Sequence, residues 1–140
     1  MAIGGRPAIG EHVFLNAFIN ESATITENAA ADIAEPAHKA VAYDADGNIV
    51  LAETGETAIG LILSPSLDPI YAGERVEILI KYIGLLLTSE ELLKGDPITI
   101  TAGGLGRKAI ADDFIFGWAF THSMPGECVH CQITRTGFGL

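Results

Sequence analysis

Near its C-terminal end this 140-residue chain reads GECVHCQI, residues 126–133, with His122 just upstream. Two thiols three positions apart with an imidazole between them are the side chains that hold zinc or exchange disulfides. Whether they do so here depends on where the backbone points them. A structural zinc site needs four convergent ligands, and His122, Cys128, His130 and Cys131 match no zinc spacing.

An internal repeat decides the matter. GERVEILI (73–80) aligns with GECVHCQI (126–133), with Gly, Glu, Val and the last Ile in common. Each copy follows a glycine-centred apolar segment, AIGLIL in one case and FIFGWAF in the other. The repeat is therefore one hairpin unit used twice. In a strand alternate side chains share a face. Val76, Ile78 and Ile80 form the apolar face of the first copy, and Val129, Cys131 and Ile133 that of the second. Cys131 then sits at an isoleucine-like core position, where a thiol acts as a small hydrophobe. Cys128 and His130 fall on the other face, so the two thiols diverge and neither chelate nor pair.

Other constellations are weaker. His12, His38, His122 and His130 are scattered, and Ser64, Ser66 and Ser123 have no evident His–Asp partners. AGGLG (102–106) lacks the Lys-Ser/Thr of a phosphate loop and reads as a tight turn. Asp44-Ala45-Asp46-Gly47-Asn48 lacks the terminal Glu of a calcium loop and reads as a turn between strands. No catalytic residue, metal site or cofactor is expected.

Bulk properties narrow the classes further. The formal net charge is −10, from 18 acidic and 8 basic residues, which repels phosphate backbones and argues against nucleic-acid binding. Between Lys39 and Arg75 there are acidic residues and no basic one, which reads as a solvated face. Apolar residues make up 49% of the chain and the mean hydropathy is +0.34. No apolar run reaches membrane-spanning length, so no membrane partner is expected. The start, MAIGGRPAIGEHVF, has no signal-peptide pattern, and the chain reads as an intracellular product.

These segments must be positioned by a β-rich scaffold. Candidate strands are 38–43, 48–52, 58–63, 75–87, 97–100, 107–110, 114–120 and 128–134, parted by Gly, Pro and Asp turns. Thr88-Ser89-Glu90-Glu91 fits a capping box, which predicts one short helix ending at Gly95. Residues 1–36 lack a clean period but carry spaced apolar anchors, Ile9, Val13, Phe14, Leu15, Phe18 and Ile19. They read as an extended N-terminal arm that lies on something else, with a β-rich sandwich or barrel-like domain over 37–140.

The string AHKAVAYDADGNIVLAETGETAIGLILSPSL, then AGERVEILIKYIGLLL, resembles the small capsid decoration, or cement, proteins of tailed bacteriophages, the lambda type included. KGDPITI and IFGWAF…PGECVHCQI are similar to that group's second half, so the resemblance spans roughly residues 37–135. It implies a mainly β, β-tulip domain and a homotrimer on the outer surface of the expanded head in the virion. It further implies a non-enzymatic protein that binds the major capsid protein through its arm and cements the shell against DNA pressure. Two other readings stay open. One is a virion-surface binding module, a head fibre base or glycan-binding domain, with Trp118, Tyr71 and Tyr82 as stacking residues. The other is a small metal protein or enzyme using His122, Cys128 and His130.

Overall fold

The computed structural model describes residues 22–63 and 68–138. They form a mainly β structure of two five-stranded antiparallel sheets. The first half contributes β1 (Thr24–Asn28), β2 (Ala40–Tyr43), β3 (Ile49–Leu51), β4 (Gly60–Ile62) and β5 (Arg75–Leu79). The second contributes β6 (Tyr82–Leu87), β7 (Pro97–Thr101), β8 (Leu105–Lys108), β9 (Phe114–Ala119) and β10 (Cys128–Phe138).

The sheet orders are β1-β5-β4-β2-β3 and β6-β10-β9-β7-β8. Subtracting five from each label of the second order gives the first. The repeat seen as a hairpin is thus a duplication of the whole five-stranded unit. Register repeats as well. Leu61 faces Leu79 across β4 and β5, and Trp118 faces Gln132 across β9 and β10. Outside the ladders, the N–H of Ala29 donates to Glu74 O (2.8 Å) and that of Thr88 to Glu127 O (3.0 Å). Ile33 exchanges two backbone bonds with Ile70, and Leu92 does the same with Ser123. Each Gly-Glu turn is tied by its own carboxylate. Glu74 accepts from the Tyr71 N–H (2.7 Å), and Glu127 from the Met124 N–H (2.8 Å).

Two apolar clusters hold this together. One lies within the first half and gathers Val41, Ile49, Ile59, Ile62, Val76 and Ile78. The other joins the halves, setting Ala40, Ala42, Leu61 and Leu79 against Leu86, Ile98, Phe116, Val129 and Cys131. At corresponding places the second unit has Phe116 for Ile59, but Ala119 for Ile62 and Cys131 for Ile78. A larger ring is offset by two smaller neighbours, so the same backbone frame encloses a filled core. Where the units meet, Gly84 is required, because a Cβ there would sit 2.6 Å from Leu79 Cδ2 and 2.9 Å from Leu61 Cδ1.

Three expectations need correction. Residues 75–87 are two strands rather than one. The chain bends at Lys81, Tyr82 takes a left-handed φ of 72°, and β5 and β6 enter different sheets. The short helix at Thr88 does not form. Thr88 Oγ1 donates to the carbonyls of Glu127 (3.0 Å) and Met124 (3.2 Å), and the Ser89 N–H donates to Gly106 O, so tertiary bonds take the groups that would start a helix. The single helical piece among the described residues is a 3₁₀ turn at Ala102–Gly104, inside the AGGLG turn. Finally, the second part of the segment read as an arm is built into the domain. β1 pairs with β5, and Ala29, Ile33 and Pro36 are buried.

Candidate functional site

In GECVHCQI the strand β10 begins at Cys128, after the Gly126-Glu127 turn, and its faces are those the repeat assigns. Val129, Cys131 and Ile133 are buried, whereas His130 and Gln132 are exposed and Cys128 is half-buried. Burial pushes the Cys131 thiol up to about 12 and raises that of Cys128. Neither is poised as a thiolate near neutral pH. His122 Nε2 lies 2.7 Å from Glu91 Oε2, an exposed pair, and the His130 N–H donates to Thr121 Oγ1 (3.0 Å). Among the described residues no three His, Cys, Asp or Glu side chains gather around one point.

The outward face of β10 leads elsewhere. Gln132 lies directly between Trp118 of β9 and Ile83 of β6, and Trp118 in turn faces Pro97 of β7. One step along, His130 lies opposite Leu85, and its carbonyl accepts the Phe120 N–H (2.8 Å). Ile83, Leu85 and Phe120 are 44%, 40% and 49% exposed, and Trp118 is half-buried. In a chain of net charge −10, the facing residues Ile83, Leu85, Trp118, Phe120, His130 and Gln132 include no Asp, Glu, Lys or Arg, and Arg135 of β10 lies beyond Ile133, where the register shifts. A neutral, partly apolar sheet face of this kind suits a protein partner better than a charged small molecule.

Beside it, between the halves, runs an apolar groove of ≈ 350 Å³ lined by His38, Leu61, Ile62, Leu63, Leu79, Gly84 and Leu85. Its rim is β6, the end strand of the second sheet. The three aromatics proposed for stacking do not form one platform. Tyr71 precedes β5 and Tyr82 follows it, so they stand at opposite ends of that strand, and Trp118 lies two strands in from β6. The six arm anchors, Ile9, Val13, Phe14, Leu15, Phe18 and Ile19, lie outside the described residues. The sequence pattern hides the neutral face, because residues 75–87 read as one continuous strand. Once YIGLLL is a separate strand, its lack of charge beside an uncharged outward register on β10 signals the surface.

The fold therefore defines a tandem pair of five-stranded antiparallel units with a neutral outer face. No family model and no curated protein matches the chain. Among solved structures it is similar to the head fiber gp8.5 N base of bacteriophage phi29, with a TM-score of 0.60 and 15% sequence identity. The likeness covers 84% of this chain and 98% of that one, and at this identity it is a likeness of fold.

Proposed function

We propose that this protein is a structural component of a tailed-phage head, seated on the outer surface of the capsid and bound to the major capsid protein. The observation that carries the reading is the match of fold to a head fibre base over nearly the whole of that chain. The neutral sheet face and apolar groove support it, since both suit macromolecular contact. In this reading the protein is not an enzyme, assembles as a homotrimer, and uses the anchors of its first residues on neighbouring capsid subunits. Bridging several subunits stabilises the shell by mass action and multivalency, which is what cementing against internal DNA pressure requires.

The likeness to a fibre base favours a second reading, in which the domain carries a further virion element and adds nothing to shell strength. Heating separates the two. Heads lacking the protein are mixed with it, and the release of packaged DNA is followed with temperature. A cement raises the release temperature as sites fill, whereas a fibre base saturates the same sites and leaves the release temperature unchanged.

A further inference from the structure

We infer that the cleft bounded by β2, the loop at residues 55–57 and Arg135 is a binding site for a single carboxylate group. The cleft encloses ≈ 520 Å³, with Tyr43, Gly55, Glu56 and Thr57 of the first unit facing Arg135 of the second. The backbone brings Arg135 there. The pairing of β10 with β9 shifts register between Ile133 and Gly137, and Arg135 lies in that step with a left-handed φ of 47°. Irregularities of this kind re-aim a side chain. The corner itself belongs to the fold, because Tyr82, two residues past the end of the first repeat as Arg135 is past the second, also has a left-handed φ. The use made of the corner differs. Tyr82 is exposed, whereas Arg135 reaches back to the first unit.

Two contacts hold the guanidinium in place. Its Nε–H donates to the Ala58 carbonyl (2.9 Å), and its Cζ lies 5.8 Å from the centre of the Phe114 ring. Its two terminal nitrogens have no hydrogen-bond or ion-pair partner among the described residues, in a chain with 18 acidic and 8 basic side chains. The acids beside the cleft are engaged elsewhere. Glu27 Oε2 accepts from the Tyr43 hydroxyl (2.6 Å), and Glu56 Oε1 from the Glu53 N–H (2.8 Å). The paired donors on the open edge of a guanidinium match the two oxygens of a carboxylate. Glu27 and Glu56 bring negative charge of their own, which disfavours a phosphate dianion more than a monoanion. The site needs both units, since one supplies the guanidinium and the other the walls. It does not rest on the head-binding reading.

Acetate titrated into the full chain at constant ionic strength, followed by the backbone amide signals of Glu56 and Thr57, tests this. The shifts should saturate with a Kd below about 20 mM, and phosphate should bind at least about threefold more weakly. Arg135→Gly puts in a residue that suits the left-handed backbone, so the variant should fold and lose the saturation. The α-amide of N-acetylglutamate, which keeps the side-chain carboxylate, then separates two sources. Tighter binding than acetate assigns the cleft to an acidic side chain of a polypeptide, and equal or weaker binding assigns it to a free carboxylate. Linear, non-saturating shifts in the wild-type chain overturn the inference. So does saturation that persists unchanged in Arg135→Gly, or phosphate binding tighter than acetate.

Discussion

At the residue scale the duplication makes matched predictions. Gly60 and Gly117 occupy the same place in β4 and β9. A Cβ at Gly60 would collide with the Leu79 carbonyl and lie 2.7 Å from Ile78 Cγ2. At Gly117 it would collide with the Gln132 carbonyl and lie 2.7 Å from Cys131 Sγ. Gly60→Ala and Gly117→Ala should each cost about 1–3 kcal/mol in denaturant unfolding, because the obstacle is backbone and cannot rotate away. Cys131→Asp puts a carboxylate into the core joining the halves and should abolish cooperative folding. Cys128→Ser should stay within about 0.5 kcal/mol of wild type. In the native protein a thiol reagent should label Cys128 and leave Cys131 untouched until unfolding. Asp113 gives the pH dependence. Its carboxyl is held below the usual range, first by the Ile110 N–H (2.8 Å) and then by Arg107 (3.0 Å). A lowered folded-state value means that its stabilisation is complete above the unfolded value, near 4, and is lost as pH falls through the folded one. Asp113→Asn should therefore cost under about 1 kcal/mol at pH 7, given its partial exposure, and the gap to wild type should narrow as pH falls below the usual carboxylate range.

At the element scale the sequence announced most strands and placed their turns well. Asp-Gly at 46–47 turns β2 into β3, with Asp44 Oδ1 accepting from the N–H groups of Asp46 and Asn48. Local signals failed where tertiary partners outbid them. RVEILIKYIGLLL has no Gly or Pro at its corner, so nothing in its composition marks the passage from one sheet to the other at Lys81. The capping box at Thr88 is genuine as a local pattern. In the fold, however, that segment is the second unit's counterpart of residues 29–33, and its groups bond to Glu127 and Gly106. The strand TITEN was absorbed into a supposed arm because it is polar and alternates weakly. Comparison of the units also reveals strain. Gly55 (φ 87°) and Asp112 (φ 71°) hold equivalent corners, each followed by an N–H that donates back three residues. Replacing Asp112 with Gly should stabilise the protein by up to about 1 kcal/mol, readable as a rise in Tm. A loss would mean that the Asp112 side chain contributes more than its backbone costs.

At the scale of the whole molecule the two units are alike in topology and unlike in their surfaces. The outward residues Leu61 and Leu79 of the first unit are sealed against the second, whereas their counterparts, Trp118 and Gln132, look outward beside Ile83, Leu85 and Phe120. A chain that is acidic overall keeps this face neutral, and the candidate site is a surface. That surface was only partly readable beforehand. Cys131 could be assigned to the core from the repeat alone, but the meeting of β6 with β10 depends on pairings roughly forty to fifty residues apart. The central claim is that this surface and the segment before it serve a phage head. Co-sedimentation with expanded heads that lack the protein, using the full chain and a form without residues 1–20, tests it most directly. Saturable binding by the full chain, weakened when the first twenty residues are removed, is the predicted result. A well-folded full chain that stays in the supernatant with every mature head offered would contradict it.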